Sequence, residues 1–83
     1  MITLVNRTIF ITGAGSGIGL ATAKLAHSLG ATVAGTVFTE SQKDALEGII
    51  KPNLCFALDV TDTSDLHDAI IKTASLCGGI DGV

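Results

Sequence analysis

The residues best suited to chemistry in this chain form one short run, Gly13-Ala14-Gly15-Ser16-Gly17-Ile18-Gly19, and the chemistry they suit is the holding of an anion. Glycines permit a tight turn and let the backbone come close to a diphosphate. A helix that starts inside such a turn presents free N–H groups and roughly +0.5 of an elementary charge. The spacing Gly13-x-x-x-Gly17-x-Gly19 departs from the commoner G-x-G-x-x-G, because Ile18 stands where that pattern wants its last glycine. No Gly-Lys-Ser or Gly-Lys-Thr is present, which disfavours a nucleoside triphosphate loop of the Walker type. The competing reading is a turn that merely packs. What separates the two is context: the anion-binding version needs a strand immediately before the run and a helix immediately after it.

The other reactive side chains are less organised. His27 and His67 fall on expected helix surfaces, with no Ser or Cys nucleophile at a recognisable spacing, and read as solvated histidines. Asp62, Asp65 and Asp68 are better explained by the N-terminus of a helix than by acid-base work. Asp59, next to Val60, reads on its own as a turn or capping carboxylate. Cys55 and Cys77 have no CxxC partner and no His at ligand spacing, so buried free thiols are expected and a metal site has no support. The chain contains no tyrosine.

The elements around the glycine run supply the context it needs. Thr8-Ile9-Phe10-Ile11-Thr12 is β-branched and aromatic and reads as a strand buried on both faces. From about Gly17 to Leu29 apolar residues recur at Ile18, Ala21, Leu25 and Leu29 opposite Lys24, His27 and Ser28, a helical period closed by Gly30. Ala31 to Phe38 returns to strand character. Thr39 with Gln42 three residues later has the form of a capping box, which predicts a helix from about Glu40 to Ile49. Pro52-Asn53 reads as a turn and Leu54 to Leu58 as a third strand. Asp62 or Thr63 can cap a further helix with Leu66, Ala69, Ile70, Thr73 and Cys77 on its apolar face, ended by Gly78-Gly79. Ile80 to Val83 opens a fourth strand.

This β, α, β, α, β, α alternation predicts an α/β fold, a three-layer parallel sheet of Rossmann type with strand order 3-2-1-(4), truncated after the third helix. With the fourth strand barely begun, the first would lie as a nearly bare apolar edge. Composition agrees with a chain written for a larger sheet. It has 83 residues and a net charge of −3, and is 47% hydrophobic but only 16% charged; its mean hydropathy is +0.57. Such a chain makes one thin aliphatic core and not a disordered segment. No run approaches the ~18 apolar residues of a spanning helix, and Met1 to Phe10 lacks the form of a secretion signal. A cytoplasmic location is therefore expected. The acidic balance disfavours nucleic acid and anionic membranes as partners.

Thr12-Gly13-Ala14-Gly15-Ser16-Gly17-Ile18-Gly19 resembles the TGxxxGIG cofactor motif of the short-chain dehydrogenases/reductases. Ala57-Leu58-Asp59-Val60-Thr61 is similar to that family's Asp-Val element after the third strand, and Gly79-Ile80-Asp81-Gly82-Val83 to the start of its fourth. The resemblance implies that residues 1–83 are an incomplete NAD(P)-binding domain. It implies cofactor contacts at Gly13, Gly15, Ser16, Gly17, Ile18 and Gly19 for the diphosphate and ribose, and at Asp59 and Val60 for the adenine. The acidic residue that favours NAD would fall at Val37, followed by Phe38, so neither sign of charge marks the cofactor. NAD or NADP is expected, with NAD marginally favoured and Glu40 the nearest acidic candidate.

The same resemblance implies hydride transfer through a Tyr-x-x-x-Lys pair and an orienting Ser, of which this chain has no Tyr. No catalytic residue is therefore assigned. The expectation is the N-terminal, dinucleotide-binding portion of an NAD(P)-dependent oxidoreductase, cut short and inactive alone, and not forming oligomers without a C-terminal part. The alternatives are a non-catalytic nucleotide-binding module and a non-functional remnant.

Overall fold

Glycine and threonine positions, more than the large apolar residues, decide how this chain folds. A computed structural model describes residues 3–83; residues 1 and 2, where the stretch read for a secretion signal begins, lie outside them. The elements are β1 (Thr8–Ile11), α1 (Gly17–Ser28), β2 (Thr32–Val37), a 3₁₀ segment (Glu40–Leu46), β3 (Ile50–Ala57) and α2 (Thr63–Cys77). The three strands form one parallel sheet in the order β1-β2-β3. Thr8 pairs with Thr32 and Ile11 with Gly35 on one side of β2, and Gly35 pairs with Cys55 on the other. On the free side of β1, Ile9 makes a parallel bridge to Gly82, which completes the expected order 3-2-1-(4).

That bridge corrects the expectation of a bare first strand. The Phe10 N–H donates to the Gly82 carbonyl at 2.8 Å and the Asp81 N–H to the Thr8 carbonyl at 2.8 Å. The Asp81 carboxylate takes the Thr8 N–H at 2.8 Å. Few residues are needed, because the edge is blunted where the outward-facing N–H and C=O groups of Thr8 and the N–H of Phe10 are paired. The neighbouring Arg7–Asp81 ion pair, at 3.5 Å and with both side chains well exposed, adds little energy.

The core is aliphatic, as the composition requires, around fully buried Phe10, Val37 and Leu46. Phe10 stacks on Phe56 with ring centroids 6.4 Å apart. Two threonines are buried with them and satisfied: Thr73 Oγ1 donates to the Ala69 carbonyl at 2.9 Å, and Thr36 Oγ1 accepts from the Gly13 N–H at 3.1 Å. In α2 the expected face is the buried one, with Ala69 and Thr73 innermost. Its caps also hold, since Asp62 accepts from the Asp65 N–H at 3.2 Å and Gly78 follows with φ +77°.

Three expected elements differ. In α1, Ile18, Ala21 and Leu25 do not face the core; Ile18 is 87% and Leu25 60% exposed, while Ala23 and Ala26 are buried. The helix is turned so that Gly19, Ala23 and Ala26, at spacings of four and three, meet the sheet, and small residues let the two come close. Gly30 does close the helix, in a Schellman arrangement: the Gly30 N–H donates to the His27 carbonyl at 3.0 Å and the Ala31 N–H to the Ala26 carbonyl at 3.1 Å.

The helix expected at Glu40 to Ile49 is instead a 3₁₀ segment that ends at Leu46. Thr39 caps nothing, because its hydroxyl pairs with the Ser41 hydroxyl at 2.9 Å. Gln42 spends its acceptor on the Phe38 N–H and not on Thr39, so no capping box forms to support an α-helical first turn. Lastly, Pro52-Asn53 is no turn between elements. It sits inside β3, where Lys51, Pro52, Asn53 and Leu54 lie between the partners of Val33 and Gly35 and bulge out of register. A bulge on an edge strand tolerates the missing proline N–H.

The rotation of α1 gives a direct test. Leu25→Ser should leave the urea midpoint nearly unchanged, a shift within about 0.5 kcal/mol for an exposed site. Ala26→Leu should cost about 1–3 kcal/mol by overpacking the helix–sheet contact. The opposite ranking would mean that α1 buries the Ile18–Leu25 face.

Candidate functional site

The glycine run sits where β1 ends and α1 begins, at the C-terminal edge of a parallel sheet, the edge at which open α/β sheets bind ligands. Its shape comes from backbone freedom at two positions: Gly13 has φ +64° and Gly17 φ +57°, values that cost most other residues energy. It is bolted to β2 through one residue. Thr36 accepts the Gly13 N–H on its hydroxyl at 3.1 Å and the Ala14 N–H on its carbonyl at 2.8 Å.

Gly19 is needed for packing. A Cβ there would overlap the Gly13 carbonyl oxygen and lie 2.7 Å from its carbon. A Cβ on Gly35 would likewise overlap the Ile11 carbonyl oxygen and stand 3.3 Å from the Ala14 Cβ. These two contacts press the start of α1 and the loop against the ends of β1 and β2.

Pinned in this way, α1 points its N-terminus out of the sheet edge with nothing closing it. Ser16 is the N-cap residue, in extended backbone, yet its side chain makes no capping bond, and no acidic residue stands in the first turn. The first-turn N–H groups of a helix have no partner within it, so those of Gly17, Ile18 and Gly19 are available, with the positive end of the helix dipole behind them. Ser16 and Gly17 are exposed. Free backbone N–H groups and the helix dipole make this helix start chemically suited to an anion.

Asp59 and Val60 follow β3 and reach the same edge. Together with Gly13, Val37, Phe38 and Leu58 they line a cleft of about 210 Å³. That is smaller than the ~300–1,000 Å³ of a pocket enclosing a drug-sized ligand, so it suits one end of an extended molecule. The walls are mainly apolar, with Thr12, Thr36, Asp59 and the loop backbone as their polar parts. The sequence-predicted residues thus divide as follows: Gly13, Asp59 and Val60 share the cleft, Ser16, Gly17 and Ile18 form the helix start beside it, Gly15 faces the 3₁₀ segment, and Gly19 is spent on packing. Sequence reasoning missed Thr36, which ties the loop down, and Gln42, whose side chain lies against Gly15. A polar β-branched residue inside an otherwise apolar strand was the available signal for Thr36.

The expectation that Asp59 is a turn carboxylate is met as well. Its Oδ1 accepts from the Thr61 N–H at 2.9 Å and from the Thr61 hydroxyl at 2.7 Å. These bonds, the hydroxyl's first, hold the Asp59 carboxyl below the usual carboxylate range. The carboxylate is fully exposed, and Oδ2 is left to accept from a ligand. Cys55 is buried, and burial pushes its thiol up, which makes it a packing residue and a poor nucleophile.

Larger hollows lie elsewhere, two of them of about 380 and 480 Å³. The first, beside His27, Thr32 and Lys51, is at the N-terminal ends of β2 and β3, the wrong end of the sheet for a ligand of this fold. The second lies along the outer edge of β3, between Lys43 and Lys72 on one hand and Asp65 and Asp68 on the other, with charges of both signs and no focus. Among the described residues no group of three or more His, Cys, Asp or Glu is placed to hold a metal ion. No helix among them is long and apolar enough to cross a membrane.

A parallel sheet ordered 3-2-1 with a glycine turn leading from its first strand into an uncapped helix is a Rossmann-type fold. Comparison with known proteins makes the class specific. Residues 13–83 match the family model described as enoyl-(acyl carrier protein) reductase. A 2,5-dichloro-2,5-cyclohexadiene-1,4-diol dehydrogenase of Sphingobium indicum is 33% identical over 86 residues, covering 99% of this chain and 33% of the relative. A 3-oxoacyl-acyl-carrier-protein reductase of Vibrio harveyi is 38% identical over 79 residues, 94% of this chain and 32% of the relative. The crystal structure of a dehydrogenase/reductase from Sinorhizobium meliloti 1021 superposes with a TM-score of 0.84 at 28% identity, over 99% of this chain and 36% of that one. The chain belongs to the short-chain dehydrogenase/reductase family. It spans about a third of the length of the curated relatives it matches.

The Asp59 bonds carry a pH signature. A carboxyl whose native pKa is depressed adds stability that is present above its ordinary value and lost as pH falls through the lower native value. An NMR titration should place the Asp59 midpoint below that of an unstructured aspartate. Thr61→Val, which removes the hydroxyl bond and keeps the backbone one, should move that midpoint upward. A midpoint indifferent to Thr61→Val would show that the hydroxyl bond is not made in solution.

Proposed function

We propose that this chain is the dinucleotide-binding, N-terminal portion of an NAD(P)-dependent short-chain oxidoreductase, with residues 1–83 forming an incomplete NAD(P)-binding domain. The observation that carries the reading is the open N-terminus of α1: free first-turn N–H groups, no side-chain cap and no first-turn acid, set at the ligand-binding edge of the sheet. The diphosphate would lie on the N–H groups of Gly17, Ile18 and Gly19, with Gly13 and Gly15 allowing it close and Ser16 Oγ beside it. The adenine end would enter the cleft of Asp59 and Val60, with Asp59 Oδ2 accepting from an exocyclic amine and Val37, Leu58 and Val60 covering its faces.

The relatives support the cofactor class. A diol dehydrogenase and an oxoacyl reductase run alcohol–carbonyl chemistry in opposite directions, and a nicotinamide dinucleotide that supplies or takes up hydride serves both. What this chain's residues contribute is position: they hold the diphosphate and the adenine and leave the rest of the dinucleotide to extend beyond the sheet edge. The 83 residues include no tyrosine, the proton donor implied by the family resemblance, so this chain binds without turning its ligand over. A stand-alone nucleotide-binding module would use the same site.

The test is thermal stabilisation of the 83-residue chain by NAD and NADP, compared with Ser16→Asp. An aspartate is a good N-cap and complements the helix dipole, so the variant should fold at least as well. It would also close the cradle with a negative charge. Stabilisation of the parent that saturates with ligand, lost by at least about tenfold in affinity in Ser16→Asp through like-charge repulsion, is the expected result. Equal stabilisation of both chains would remove the α1 N-terminus as the diphosphate site. In neither chain should a panel of alcohols and ketones give NAD(P)-linked turnover.

A further inference from the structure

A dinucleotide lying on the glycine run must also place its adenosine ribose beside the end of β2, and there a side chain is already waiting. Gln42, from the 3₁₀ segment, lies directly on the loop: a Cβ built on Gly15 would stand 2.8 Å from the Gln42 Cβ, 2.9 Å from Oε1 and 3.1 Å from Cδ. Its orientation is fixed, because Oε1 accepts from the Phe38 N–H at 2.8 Å. With the oxygen committed to the backbone, the other end of the amide, Nε2 with two N–H donors, is left with no partner among the described residues.

Val37 and Phe38, at the end of β2, are uncharged; Val37 is buried and Phe38 is 74% exposed. The Glu40 carboxylate is paired with the Lys43 ammonium at 3.1 Å. Asp59, across the cleft, is held by Thr61 through Oδ1 and keeps its charge and its second oxygen free. Arg7 pairs with Asp81 beside the start of β1, and Lys72 lies over the Phe56 ring, 5.9 Å from its centroid. Among the described residues that line the cleft, Asp59 carries the one charge, and no cation stands there.

The neutrality of the end of β2 and of the Gln42 amide has a consequence for specificity. A carboxylate at this place accepts from a ribose 2′-OH and repels a 2′-phosphate, whereas an arginine attracts the phosphate. A neutral amide does neither, and its N–H groups can donate to a hydroxyl oxygen or to a phosphate oxygen alike. We propose that Gln42 reads the ribose side of the bound dinucleotide, and that its neutral donor lets this site accept the dinucleotide with or without a 2′-phosphate. The inference rests on the dinucleotide reading above and deepens it.

The experiment is calorimetric titration of the 83-residue chain with NAD and with NADP, repeated on Gln42→Glu and Gln42→Arg. The glutamate is isosteric and keeps the acceptor for the Phe38 N–H, so the loop geometry is retained. The parent should bind the two dinucleotides within about tenfold of each other. Gln42→Glu should weaken NADP at least about tenfold relative to NAD, and Gln42→Arg should move the ratio at least as far the other way, both by Coulomb interaction with the 2′-phosphate. A ratio that neither substitution moves, or a parent that separates the two by more than about a hundredfold (roughly 2.7 kcal/mol), would overturn the assignment of Gln42 while leaving the dinucleotide site intact. Binding of neither dinucleotide by a chain that melts cooperatively would overturn the dinucleotide reading and this inference with it.

Discussion

Gly19 lies so close to the Gly13 carbonyl that no side chain fits between them, and the geometry of the molecule follows from that contact. It fixes how α1 is rotated, so Ala23 and Ala26 meet the sheet while Ile18 and Leu25 face outward. It also fixes where α1 begins. A bulkier residue at this point would push the helix off the loop and carry the first-turn N–H groups away from the sheet edge, at an overpacking cost of about 1–3 kcal/mol. Thr36 holds the other half of the junction by taking two consecutive loop N–H groups, one on its hydroxyl and one on its carbonyl. The same residues therefore hold the loop to the sheet and set where the first turn of α1 stands.

Much of this was legible in the sequence because it is written in backbone-determining residues. The alternation of strands and helices, the parallel order and the glycine turn follow from local patterns that three dimensions leave intact. Asp62, Gly30 and Gly78 cap where their types say they should. What was not legible depended on packing partners far away in the chain. Large residues pointed to the Ile18–Leu25 side of α1 as the buried face, yet the buried face is the one with the small residues, since a close contact set by Gly19 outweighs the area that Leu25 could bury. Thr39 and Gln42 have the spacing of a capping box, but Gln42 is drawn to the Phe38 N–H and the glycine loop instead. Spacing shows that a bond is possible and not which of two nearby donors receives it.

The same division applies to the site. The glycine turn can be recognised from spacing, because what it needs is conformational, a positive φ at Gly13 and Gly17. The cleft beside it is assembled from the ends of three strands, and only the fold shows that Gly13, Val37 and Asp59 are neighbours. Asp59 serves two ends there: Thr61 holds it ionised and oriented, and its second oxygen remains free toward the cleft. At the opposite side of the sheet, residues 81 and 82 cover the edge of β1 with a handful of backbone bonds, so the strand that carries the glycine run is hydrogen-bonded on both sides.

The central claim, that the uncapped start of α1 is where a dinucleotide diphosphate sits, is tested most directly by following the backbone amide resonances of the 83-residue chain as NAD is added. The largest shifts should fall on Gly13 through Gly19, with a second group at Asp59 and Val60 and little movement at Lys51 to Leu54 on the far end of β3. Saturable shifts confined to the β3 edge or to the hollow around His27 and Thr32, with the Gly17, Ile18 and Gly19 amides unmoved, would contradict it.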